Sequence, residues 1–192
     1  MDDPVYRTLK ALAIGLGLLW LGWMVYEGLA REHVPGQKAY EAANRHFEDG
    51  RFEEAIKVYD QALEENSELL PALRGKARSL MQIERYDRAL SLFNQAIEGD
   101  PEFAPTYANR GILNDRMGRF EEAIKDYEKA LELMPELAEG PNWITRFLRL
   151  QPEKPPTIDD RVRYLKEQLA LPEEERKLRD PEKDEQQRSY KM

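Results

Sequence analysis

The chain contains no cysteine. That absence excludes disulfides, thiolate metal sites and cysteine nucleophiles, and it leaves the redox compartment open. Histidine is nearly as scarce, with only His33 and His46. Near His46 the one carboxylate at a plausible ligand spacing is Asp49, and one imidazole with one carboxylate is too little for a metal, so none is expected. Basic residues are outnumbered, 29 Lys and Arg against 37 Asp and Glu, for a formal charge of −8. A nucleic-acid binder needs a basic face to meet phosphates, so nucleic acid is not an expected partner. Glycine-rich phosphate loops, HExxH and GxSxG are all missing. The acidic pairs Glu53-Glu54 and Glu121-Glu122 fall at equivalent places in a repeat and read as helix-start residues favoured by the helix dipole. No catalytic residue, cofactor or small-molecule substrate is therefore expected.

Long apolar runs are absent except for one. Ala11 to Tyr26 carries no charge. Sixteen helical residues rise about 24 Å, and continuing to Ala30 reaches the ~30 Å of a hydrocarbon core. Lys10 marks one edge, and Trp20, Trp23 and Tyr26 sit toward the other, as interfacial anchors do. Residues 11–30 are expected to be a single transmembrane anchor after a short tail, 1–10. A cleaved signal peptide, with small residues around Gly28-Leu29-Ala30, and a buried core helix are the competing readings. Arg7 and Lys10 before the span favour the N-terminus inside and the larger C-terminal part outside. In a bacterial inner membrane that part would be periplasmic.

What the chain has in abundance is repetition. Three blocks, Gly36–Leu69, Leu70–Phe103 and Ala104–Leu137, align without gaps at a spacing of 34 residues. Ala43, Ala77 and Gly111 share one column, Ala55, Ala89 and Ala123 another, and Ala62, Ala96 and Ala130 a third. Small side chains there let two helices approach closely. Phe52, Tyr86 and Phe120 form an aromatic column, and Tyr59, Phe93 and Tyr127 a second. Phe120, Ile124, Tyr127 and Leu131 step by 4, 3 and 4, one face of an α-helix. Gly50 and Gly118 fall in the inter-helix turn, where a left-handed backbone suits glycine. Pro101 and Pro135 close second helices.

These columns resemble the tetratricopeptide-repeat (TPR) family over Gly36 to Leu137. Departures are local: Ser67 replaces a closing proline, Glu84 a turn glycine, and Asn114 and His46 occupy a column that is usually large and apolar. The resemblance implies an all-α fold, an α-solenoid of three TPR helix pairs (residues 37–138) with a capping helix and a preceding transmembrane helix. It also implies a concave face lined by the first helix of each pair. Residues 31–36 read as a linker. Asn142–Gln151, with Trp143, Phe147 and Leu150 on one face, reads as the capping helix within 139–151. Residues 152–179 read as amphipathic helices: Thr157 can N-cap one bearing Ile158, Val162, Leu165 and Leu169, and Pro172 can open a shorter one. The first either docks on the solenoid or binds a partner. Residues 180–192 carry too little apolar content to bury and read as a flexible tail.

Helical phase and the family resemblance together point Tyr40, Asn44 and Phe47 of repeat one into the concave face. Arg74, Arg78 and Met81 of repeat two, and Asn109, Ile112 and Arg116 of repeat three, complete the expected groove. Arg74 and Arg78 are four apart and share a helix face. Two guanidiniums there could hold a carboxylate. Alternatively they pair with Glu41 or Glu48 and hold the stack together. The arrangement resembles part of the carboxylate clamp of chaperone-tail-binding TPR domains, but Tyr40 and Arg74 stand where that clamp has lysines. The expected partner is a protein or peptide. Two roles stay open: a membrane-tethered assembly or chaperone-like scaffold, similar to bacterial inner-membrane TPR assembly factors, and a structural subunit whose groove is permanently filled.

Overall fold

A computed structural model describes residues 3–30, 34–140, 150 and 155–179. The expected capping helix at 139–151 and the tail at 180–192 lie almost wholly outside the described residues. The chain divides into two compact units, Met1–Pro35 and Gly36–Met192.

The first unit is one helix, α1 (Pro4–Ala30). Asp3 starts it, its carboxylate accepting from the Val5 backbone N at 3.0 Å, and Pro4 suits the first helical turn because it lacks the N–H that would go unpaired. Pro4–Glu27 has a mean hydropathy of 1.6, and none of it is buried within the protein. Its 24 residues rise about 36 Å. The helix is thus long and apolar enough to cross a membrane.

Among its described residues the second unit contains helices joined by turns and irregular segments, and no strand. Helices α2 (Gln37–Glu48) and α3 (Phe52–Glu65) form the first pair, α4 (Leu70–Gln82) and α5 (Tyr86–Gly99) the second, α6 (Ala104–Arg116) and α7 (Phe120–Leu133) the third. The alanine columns explain the pairing. Ala43, Ala55, Ala62, Ala77, Ala89, Ala96, Ala123 and Ala130 are all fully buried, so paired helices close to short distance over them. The aromatic column fills the space between: Tyr59, Phe93 and Tyr127 are also fully buried. First helices touch one another, α2 with α4 and α4 with α6, while the second helices α3, α5 and α7 make no contact of comparable extent with one another. The layer of first helices is therefore the inner side of a curved stack.

The turns repeat one conformation. Gly50 and Gly118 have φ of 75° and 77°, and Glu84, in the same column, adopts φ 59°. Asn114 departs from an apolar column for a visible reason. Its amide donates to Asp126 Oδ2 at 2.9 Å, and Asp126 also receives Arg110 through Nε at 2.9 Å and Nη2 at 2.6 Å. Arg110 reaches on to Asn94 Oδ1 at 2.8 Å. The polar column position thus ties α5, α6 and α7 together.

Helix α8 (Ile158–Ala170) follows. Thr157 and Asp160 form a reciprocal capping box, with the Thr157 backbone N donating to Asp160 Oδ2 at 3.0 Å. Ile158, Val162 and Leu165 are buried in the same apolar cluster as Tyr127 and Ile124, so α8 docks on α7. The helix expected after Pro172 is a correction: only a 3-10 turn, Glu173–Glu175, forms there. Residues 176–179 then run without regular structure. Their path is set by contacts to α8 and α6, described below, which leave no helical register.

Candidate interaction groove

The inner layer presents different chemistry along its length. In α2, Tyr40, Asn44 and Phe47 are half-buried. Tyr59 of α3 donates its hydroxyl to Asn44 Oδ1 at 2.5 Å, and its ring lies 6.3 Å from that of Tyr40. Burial pushes the Tyr59 hydroxyl well above the ordinary tyrosine range, with the Arg78 charge opposing. Phe47 meets Phe52 edge-on, centroids 5.4 Å apart.

The two arginines of α4 are not equivalent. Arg74 donates through Nη2 to Asp100 Oδ2 at 2.7 Å and lies 4.0 Å over the ring of Phe103. It is a fastener between α4 and the end of α5, and its acid is neither Glu41 nor Glu48. Arg78 lies 4.1 Å over the ring of Phe47 and forms no hydrogen bond or ion pair with a described residue. Burial lowers its pKa, and the neighbouring Tyr59, Tyr40 and Glu48 oppose that shift. The two guanidiniums therefore separate into one committed to Asp100 and one that feels the Glu48 charge but has no hydrogen-bonded anion among the described residues.

Three further residues expected in the groove are interior. Met81 and Asn109 are 0% exposed and Ile112 is 1%. Met81 and Ile112 share the apolar cluster with Leu80, Leu113 and the inner face of α8, and Asn109 turns its amide back to the Pro105 carbonyl at 2.8 Å. Arg116 is half-buried at the end of α6. A helical wheel places these residues toward the inner layer but cannot tell that later chain covers it.

That cover is the feature read least well from sequence. Arg161 of α8 grips Asp115 of α6 through Nε at 2.7 Å and Nη2 at 2.8 Å, with both side chains almost fully buried. The same Nη2 donates to the Leu178 carbonyl at 3.2 Å. Tyr164 donates its hydroxyl to the Lys177 carbonyl at 2.5 Å, and Arg179 donates to the Arg116 carbonyl at 2.9 Å. Leu178 packs against the main cluster. Two signals were available. Asp115 shares a repeat column with Phe47 and Met81, where a charge is out of place, and Arg161 lies among the apolar positions of α8. Among the described residues no His, Asp and Glu group could hold a metal ion.

Comparison with known proteins fits this geometry. Residues 46–109 and residues 104–137 each match a tetratricopeptide-repeat family. No curated protein matches the chain. Among solved structures, the first TPR of Spaghetti (RPAP3) bound to HSP90 peptide SRMEEVD is 23% identical with a TM-score of 0.58, over 71% of this chain and 94% of that one. The second TPR of the same protein, bound to the same peptide, is 25% identical with a TM-score of 0.50, over 52% and 92%. The Arabidopsis OM64 TPR domain is 19% identical with a TM-score of 0.54, over 67% and 94%. The chain belongs to the tetratricopeptide-repeat family, its three helix pairs from α2 to α7 being copies of that repeat.

Proposed function

We propose that the protein is a membrane-tethered interaction scaffold that holds a segment of a partner protein against the inner face of α2 and α4. The observation that carries this reading is the inner layer itself. At α2 and α4 it offers half-buried aromatic and amide side chains and a guanidinium with no hydrogen-bonded anion among the described residues, whereas ordinary core positions would be apolar and closed. The similar RPAP3 domains are described with a bound HSP90 peptide, which supports the class of ligand and not its identity. Helix α1 supplies the tether, and tethering raises the effective concentration of partners in the same membrane.

The test is affinity capture from solubilised membranes with the wild type and with Tyr40→Ala. A partner recovered in stoichiometric amount by the wild type and lost with Tyr40→Ala, at unchanged melting temperature, is the expected result. Equal recovery by both, or no stoichiometric partner, contradicts the reading.

A second reading, a structural subunit with an occupied groove, is favoured by one observation: residues 176–179 already bind back onto α6. Truncation after Leu171 separates the two. Peptide binding that appears only in the truncated protein supports self-occupation, and binding already present in the full chain supports the scaffold.

A further inference from the structure

We propose that the cleft between α8 and the end of α6 is a second binding site, for an extended segment of a partner protein that carries an aliphatic residue followed by an arginine. In the free chain the site is filled by the chain's own residues 176–179. It does not use the face of α2 and α4, and it stands whether or not a partner is held there.

Helix α8 carries two lines of side chains. Ile158, Val162 and Leu165 are buried in the cluster shared with α7, and they account for the docking of the helix. Arg161, Tyr164 and Gln168 step by 3 and 4 along a second line, and each bonds to the main chain of the strap that follows. Arg161 Nη2 donates to the Leu178 carbonyl at 3.2 Å, and the Tyr164 hydroxyl donates to the Lys177 carbonyl at 2.5 Å. Gln168 Oε1 accepts from the Lys177 backbone N at 2.7 Å. Bonds to the main chain carry no side-chain preference, so this line holds an extended segment as such. Two side chains of the strap add the selection. Leu178 packs against the main apolar cluster. Arg179 donates to the Arg116 carbonyl at 2.9 Å, where the last carbonyls of α6 favour a cation.

Arg161 does not depend on the strap for its position. Asp115 fixes it through two bonds, and its guanidinium lies 5.4 Å from the Tyr164 ring centroid. Its donor is thus in place before an extended segment arrives, which lowers the cost of binding one. The strap gives little to the core in return. None of residues 171–179 is buried, and all but Leu178 are exposed. Few buried apolar contacts and exposed hydrogen bonds mark a segment that opens locally, without unfolding of the whole. The strap fills the site because it is tethered beside it, at high effective concentration. A partner segment of the same chemistry displaces it.

The probe is a fluorescent, end-capped peptide with the sequence of residues 172–179, titrated with the full chain in detergent and followed by anisotropy. Full chain carrying Leu178→Ser with Arg179→Ser, its own strap weakened, is expected to bind the peptide at least about tenfold tighter than the wild type. A peptide carrying the same two substitutions is expected not to bind. Equal affinity of the two proteins, no binding by the variant, or equal binding of the two peptides overturns the proposal. Hydrogen exchange of the wild type decides the matter even where the variant does not fold. The Lys177 amide is expected to exchange at least about a hundredfold faster than the middle of α7, and faster still with excess peptide. Exchange at the rate of α7, or exchange unaffected by the peptide, overturns it. Native mass spectrometry of the wild type is expected to show single chains. A dimer that the two substitutions dissolve would mean that a second copy's strap fills the site, which overturns the assignment to a partner protein.

Discussion

At the scale of single residues, Arg74 and Arg78 show how little side-chain identity says without its neighbours. They sit four apart on one helix, so spacing alone treats them as a pair. Arg74 instead spans to Asp100 and Phe103, and its loss is a stability effect. Arg74→Ala is expected to cost about 1–3 kcal/mol, read as a lower midpoint in thermal or urea unfolding. An unchanged midpoint would return Arg74 to the list of ligand contacts. Glu84 is the complementary case. Its absence of glycine was visible as a departure from the repeat, and the backbone has kept the left-handed turn anyway, at φ 59°. Glu84→Gly is expected to stabilise by about 1 kcal/mol, because the Cβ no longer crowds the carbonyl. Gly75 carries the opposite sign. A Cβ there would lie 2.4 Å from Tyr59 Cζ. Gly75→Ala is therefore expected to destabilise by about 1–3 kcal/mol, despite the better helix propensity of alanine.

At the scale of elements, the helix pairs were legible because their signal is local and recurs. Small residues and aromatics return at a fixed period, and each column has one packing task. The capping box of α8 was legible for the same reason, since Thr157 and Asp160 are three residues apart. Docking of the helix after Thr157 on the solenoid was one of the two readings left open, but the side chains that fasten it to α6 were not legible. The Arg161–Asp115 contact joins residues 46 apart, and although each residue stands out within its own pattern, no period links the two. The same blindness placed Met81 and Ile112 in an open groove when they are interior. Removing one partner of a buried ion pair leaves an uncompensated charge, so Arg161→Ala is expected to cost about 3–5 kcal/mol. Replacing both, as Arg161→Met with Asp115→Leu, is expected to recover most of that loss in chemical denaturation. A double variant as unstable as the single one would mean that the ion pair is not the fastening.

At the scale of the whole molecule, α1 and the helical stack are separate units. If α1 is the tether proposed above, Arg7 and Lys10 before the apolar run would put the stack on the far side of the membrane from the short N-terminus. The lack of cysteine makes this easy to check, because a single Ser67→Cys substitution at an exposed turn gives a unique thiol. Labelling by a membrane-impermeant maleimide in intact cells is expected, whereas labelling only after lysis would reverse the orientation. An apolar segment missing from the mature protein on mass measurement would replace the anchor by a cleaved signal. The repeats name the class of partner by their shape, but partner identity has no counterpart in any residue pattern here, because groove contacts are few and are set by the ligand as much as by the fold.

The most direct measurement places a photo-crosslinking amino acid at position 40, on the inner face of α2, and in a parallel sample at position 61, on the exposed side of α3, in the full chain within its native membrane. Crosslinking of one defined partner from position 40 and not from position 61 is the predicted result. Equal crosslinking from both positions, or a defined partner from position 61 alone, would contradict the claim that the inner face of the repeats is where this protein holds its partner.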